Sequence, residues 1–159
     1  MLSINIICVG KLKESYLREA AEEYSKRMKP MCRLSIVELP EERVGDDPSP
    51  AEIQRTVSAE SDRIAARIGR GDYVIAMCVE GKMISSEELS AKLEDIQQTH
   101  STVDLIIGGS WGLSDGLKGR ADFRLSMSRM TFPHQLCRVL LLEQLYRAFQ
   151  ISRGSKYHK

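Results

Sequence analysis

Apolar residues fall into two alternating patterns along this chain. Short runs dense in β-branched and aliphatic residues occur at Ile4 to Val9, Leu34 to Leu39, Tyr73 to Val79 and Val103 to Ile107, with a weaker one at Phe123 to Met127. Each has the length and composition of a strand. Between them, apolar positions recur every three or four residues, as they do on one face of a helix. Tyr16 to Met28 is the first such segment, ended by Pro30. The second opens at Pro50 and runs to about Ile68, its narrow stripe of Ile53, Val57, Ile64 and Ile68 suited to lying on a sheet. In the third, Ser85 and Glu88 form a capping box and the helix reaches about Gln98. Ser114 caps a short turn through Leu117, and Pro133 opens a last helix to about Ser152, closed by Gly154.

Strands alternating with helices predict an α/β fold with a mainly parallel sheet flanked by helices. A run such as Leu105-Ile106-Ile107, without alternation, fits a strand covered on both faces. The last helix differs from the others. Leu136, Val139 to Leu142, Leu145, Tyr146, Ala148, Phe149 and Ile151 leave almost no polar face. Such a helix needs cover on two sides, and the pattern predicts the sheet on one and a second subunit on the other. Pro40 to Pro50 is polar, holds three prolines and reads as a surface loop able to move over a site.

With 159 residues and no internal boundary in composition, one domain spanning 1–159 is expected. No apolar run approaches the roughly 18 residues of a membrane span, and the start of the chain reads as a strand and not a signal peptide. These features predict a cytoplasmic protein with no membrane association. The four cysteines have no C-x-x-C spacing and are expected to be reduced thiols. Net charge is +1, yet residues 1–117 carry −6 and residues 118–159 carry +7. A polyanion partner at the basic end, or a dimer contact against the acidic body, would each account for that.

Familiar catalytic signatures are missing. There is no phosphate-binding G-x-x-x-x-G-K-[ST], no dinucleotide G-x-G-x-x-G and no G-x-S-x-G. His100, His134 and His158 have no His or Cys partner at ligand spacing, so no metal site is predicted. What remains is a site built from the loops after Met77, Ile107 and Met127. The glycines Gly108 and Gly109 end an apolar strand, where an α/β sheet binds its ligands, although they would also serve a plain strand-to-helix turn.

Those loops and the end of the chain carry a family pattern. Ile106-Ile-Gly-Gly-Ser-Trp-Gly-Leu113, Leu125-Ser-Met-Ser-Arg-Met-Thr-Phe-Pro-His134, Arg138-Val-Leu-Leu-Leu-Glu-Gln-Leu-Tyr-Arg-Ala148 and terminal Tyr157-His158 resemble the RlmH family, with Val9-Gly-Lys-Leu-Lys13 and Glu80-Gly-Lys82 in agreement. These are SPOUT-class methyltransferases of 23S ribosomal RNA. The resemblance spans the whole chain. It departs at Trp111, where the family often has a small or polar residue, and at Lys159, where some members have Arg. It implies a C-terminal trefoil knot, a homodimer, S-adenosyl-L-methionine as cofactor, and methyl transfer to N3 of a pseudouridine in the large subunit.

By position, the implied cofactor contacts are Met77, Gly108, Met127, Ser128, Arg129, Met130, Thr131 and Phe132. The side chains agree with that role, since an adenine needs an apolar slot with main-chain hydrogen bonds. Plain core packing of the methionines is the alternative. For catalysis, His158 is the candidate base, Tyr157 a stacking platform for the target base, and Arg138 a stabiliser of the developing oxyanion. Against these stand a frayed terminal tail and an interhelix salt bridge of Arg138. Glu143 and Arg147, four apart, fit a structural pair. The competing function is a non-catalytic RNA- or ribosome-binding protein that keeps the fold.

Overall fold

The computed structural model describes residues 1–159. In chain order the elements are β1 Ser3–Val9, α1 Ser15–Met28, β2 Arg33–Leu39, α2 Pro50–Ala65, β3 Tyr73–Lys82, α3 Ser86–Thr99, β4 Thr102–Ile107, α4 Asp115–Arg120, β5 Phe123–Leu125 and α5 His134–Ser152. All five strands are parallel, in the order β2-β1-β4-β3-β5. The unbroken apolar runs lie at the centre, where both faces are covered.

The two faces are unequal. Twenty-two buried residues pack on the side of α1, α3 and α5, from Ile4 and Ile6 of β1 to Leu141, Leu142 and Leu145 of α5. Nine pack under α2 and α4, among them Ile64, Val74 and Ile106. The lopsided core explains why α5 is apolar all round. It lies on the sheet between α1 and α3, both of which pack against it. The second subunit expected from the sequence to cover its far side is thus not required for most of that surface, because neighbouring helices supply the cover. Leu136 stays 38% exposed, and Tyr16 on adjacent α1 66%.

α2, α3 and α4 each start at a serine cap. Ser85 and Glu88 form the expected reciprocal box, and Ser49 with Glu52 forms a second one around Pro50. α2 stops at Ala65, short of Ile68. β3 is longer than its apolar run and continues through Glu80-Gly81-Lys82, where the sequence suggests a turn. A register shift there lets both Met77 and Lys82 pair with Leu125. Gly81 makes this possible, since a Cβ on it would lie 2.8 Å from the carbonyl carbons of Arg124 and Leu125. β5 ends at Leu125, two residues earlier than its pattern suggests, because Ser126 Oγ turns back to donate to Ser128 O at 2.9 Å.

The four cysteines are free. Burial pushes the Cys8 and Cys32 thiols up to about 11, so both stay protonated at neutral pH. No helix is long and apolar enough to cross a membrane.

Candidate active site

The carboxyl ends of β3, β4 and β5 lie side by side, and the loops leaving them enclose a cleft of about 810 Å³. That size falls within the roughly 300–1,000 Å³ of small-molecule sites. Met77, Gly108, Met127, Ser128, Met130, Thr131 and Phe132, which the family resemblance implies as cofactor contacts, all line it; Arg129, implied with them, does not. Met77 is buried, whereas Met130 is 74% exposed and Phe132 36% exposed. Core packing therefore explains Met77 but not Met130 or Phe132, which hold apolar surface at an open mouth without an intramolecular reason.

The glycine loop is shaped by its own backbone. A Cβ on Gly108 would lie 2.5 Å from the carbonyl carbon of Gly112 and 2.6 Å from its oxygen. The sequence suggests that Gly108 makes room for a ligand; the structure shows that it first makes room for Gly112 and Leu113. The tight return is closed by the Gly112 N–H donating to Gly109 O at 3.0 Å, with Gly112 at φ +82°. Helix α2 supports the loop from behind. Ser61 Oγ accepts from the Ser114 N–H at 2.9 Å. Buried Glu60 abuts Gly109, accepts from the Glu42 N–H at 2.9 Å through Oε2, and leaves Oε1 without a partner. Desolvation raises the Glu60 pKa. In the segment 127–132, Ser128 Oγ accepts from the Met130 N–H at 3.0 Å. The Thr131 and Phe132 N–H groups make no hydrogen bond within the chain, so they are free to meet a ligand.

Three lining groups escape sequence reasoning. His134, in the first turn of α5, faces the cleft, and desolvation lowers its pKa. Its imidazole is neutral at pH 7 and able to accept a proton. Lys118 and Glu80, also lining the cleft, pair at 2.5 Å, a contact that raises the lysine pKa and lowers that of the glutamate. These partners are 38 residues apart, a distance at which sequence spacing carries no signal.

The residues chosen from sequence for catalysis lie elsewhere in the chain. Arg138 is 1% exposed, donates from Nη1 to Glu38 Oε2 at 2.6 Å and from Nη2 to Gly10 O at 2.9 Å, and lines a different groove. The partner is a strand carboxylate, not a helix one. Tyr157 packs edge-on against Tyr146, with ring centroids 4.8 Å apart, and its hydroxyl donates to Glu143 Oε1 at 3.1 Å. His158 Nδ1 accepts from Arg147 Nη1 at 3.0 Å, while Nε2 donates to Glu87 Oε1 at 2.5 Å. Both ring nitrogens are therefore committed, and no lone pair is left to act as a base in this arrangement. The expected pair of Glu143 and Arg147 is present at 2.7 Å and anchors the tail.

This fold and cleft match known proteins. A family model described as "Predicted SPOUT methyltransferase" matches residues 2–158. A curated relative from Clostridium acetobutylicum, "Ribosomal RNA large subunit methyltransferase H", is 48% identical over 159 residues, covering 99% of this chain and 100% of its own. The chain belongs to the SPOUT methyltransferase family. Among solved structures, a methylase-family protein from Haemophilus influenzae Rd KW20 aligns with a TM-score of 0.53 at 16% identity, over 100% of this chain and 72% of its own. Lpg2936 from Legionella pneumophila, solved with the cofactor SAM bound, gives 0.51 at 14% identity and covers 95% of this chain. Both similarities bear on the fold.

Proposed function

We propose that this chain is an S-adenosyl-L-methionine-dependent methyltransferase of large-subunit ribosomal RNA, acting as a homodimer in the cytoplasm on N3 of a pseudouridine in 23S rRNA. The observation that carries the reading is the cleft itself. Seven of the eight cofactor-contact residues implied by the family pattern line it. It also unites a partly exposed apolar wall with free main-chain donors at Thr131 and Phe132. The full-length match to a curated rRNA methyltransferase supports the substrate. Tyr16 on α1 and Leu136 on α5 are exposed large apolar side chains, which suits a contact between two copies of the chain.

The cofactor supplies an electrophilic methyl group on a sulfonium, and everything else is the work of the chain. Met77, Met127 and Phe132 would grip the adenine, and the backbone of Gly108 to Gly112 would hold the rest. A base carrying its N3 proton is a poor nucleophile, so that proton must leave. Neutral His134 is the imidazole in the cleft that can accept it at a ring nitrogen. Positioning the nucleophile in line, about 3 Å from the methyl carbon, contributes much of the remaining rate.

The test uses tritium-labelled S-adenosyl-L-methionine with ribosomes, isolated large subunits, free 23S rRNA and bulk tRNA. A single label in 23S rRNA, mapped by mass spectrometry to a pseudouridine, is expected. Label in tRNA would move the substrate. Absence of label everywhere, with tight ribosome binding, would favour the non-catalytic binder.

A further inference from the structure

The +7 of residues 118–159 suggests that the basic end of the chain meets RNA. Folding spends much of that charge internally. Lys118 pairs with Glu80, buried Arg138 with Glu38 and Arg147 with Glu143, while Arg153 Nη2 donates to Pro30 O. Arg120, Arg124, Arg129, Lys156 and Lys159 keep no carboxylate partner there, and a second set of unpaired cations lies in the other half of the chain, on α1 and the loop before it.

A second groove, of about 650 Å³, runs between α1 and β2, the edge strand of the sheet. Lys11, Arg18, Lys26 and Lys29 line it, and all four are exposed. Lys11, Lys26 and Lys29 have no carboxylate within salt-bridge distance. Arg18 caps the preceding loop by donating to Leu12 O and Lys13 O, and it keeps its charge. Of the two groove carboxylates, Glu38 is taken by Arg138, which leaves Glu22 alone against four cations. Lysines in the last turn of a helix also complement its dipole, which accounts for Lys26 and Lys29 but not for Lys11 or Arg18 at the other end. From Arg18 to Lys29 the helix advances about 16 Å, long enough to track several phosphates of one strand.

The groove also leads to the cleft. Lys11 and Leu12 follow β1 at the carboxyl edge of the sheet, and Lys13 is tied to Gln135, next to His134 of the cleft wall. We propose that this groove binds the phosphate backbone of the RNA flanking the nucleotide held in the cleft. The identity of the polyanion rests on the proposed function; the groove itself does not.

The test is direct binding of the full chain to ribosomes, followed against monovalent salt, for the wild type, for Lys11→Gln/Lys26→Gln/Lys29→Gln and for the control Arg70→Gln. Arg70 is an exposed cation in the turn before β3, at the amino ends of the strands and three strands away from β2. Each lost phosphate contact lowers the slope of log affinity against log salt by about 0.7 on single-stranded RNA, so the triple variant should lose about 2. Affinity for ribosomes should fall at least tenfold in near-physiological salt, and affinity for S-adenosyl-L-methionine should stay within twofold. The control should lose neither slope nor affinity. A triple variant with wild-type slope, or an Arg70 variant with an equal loss per charge, overturns the proposal. A wild type that binds through the groove but transfers no methyl group sinks the methyltransferase reading and leaves the groove standing.

Discussion

Replacing Arg138 with alanine separates a structural from a catalytic role for the most buried cation in the chain. The substitution removes a side chain that is 1% exposed, together with its two charge-assisted hydrogen bonds. Gly10 O loses its buried donor. The Glu38 carboxylate, with its side chain 35% exposed, loses its counter-ion but can still recruit water. Breaking a fully buried pair costs about 3–5 kcal/mol. Access of water to Glu38 places the expected loss in the lower half of that range, about 3–4 kcal/mol. For a chain of this size that corresponds to a fall in Tm of about 6–16 °C. Urea unfolding at fixed protein concentration measures it, with calorimetric binding of S-adenosyl-L-methionine alongside. Arg138→Lys keeps the charge but cannot span both acceptors, so it should recover only part of the loss. Stability within about 0.5 kcal/mol of wild type in Arg138→Ala, with turnover abolished, would refute this reasoning and restore the catalytic role.

Three further outcomes follow from the site. Gly108→Ala drives a Cβ to within 2.5 Å of the Gly112 backbone, so the loop must shift; a stability loss of about 1–3 kcal/mol in thermal unfolding, with at least a tenfold loss of S-adenosyl-L-methionine affinity in calorimetry, is expected. Glu60→Gln removes a buried carboxyl whose folded pKa is raised, a group whose contribution is favourable at low pH and is lost as pH rises through that pKa. The variant should therefore equal or exceed wild-type stability at pH 7 in denaturant titrations, with the advantage shrinking towards pH 4; an advantage that grows on acidification would contradict the assignment. His134→Gln should lower methyl transfer about 10²–10⁴-fold. In the wild type, rate should decline with acidification only below the usual histidine pKa of about 6.5, because desolvation lowers that of His134; a decline centred above it would point to another base.

Periodicity made the sheet and its helices legible because each strand run and each helical stripe reports local burial. It overextended β5 and stopped β3 short at Val79, since the extension through Lys82 depends on Gly81 fitting against Arg124 and Leu125, far away in sequence. The apolar circumference of α5 was plain, but not that α1 and α3 supply the cover. The loops after Met77, Ile107 and Met127 were legible because they sit at strand ends, whereas the individual residues Gly108 and Met127 to Phe132 were reached through the family resemblance. Arg138 and Glu38 are 100 residues apart, as Lys118 and Glu80 are 38 apart, so their pairing exists only once the sheet forms. A threaded chain leaves no trace in periodicity, which records faces and not the path of the backbone through a loop.

The central claim is that the cleft at the ends of β3, β4 and β5 holds S-adenosyl-L-methionine. Isothermal calorimetry of the purified chain tests it most directly, with ATP and NAD as controls. Saturable binding of S-adenosyl-L-methionine, absent for both controls and lost in Gly108→Ala, is the result expected. Equal binding of all three nucleotides, or binding that survives Gly108→Ala unchanged, would contradict it.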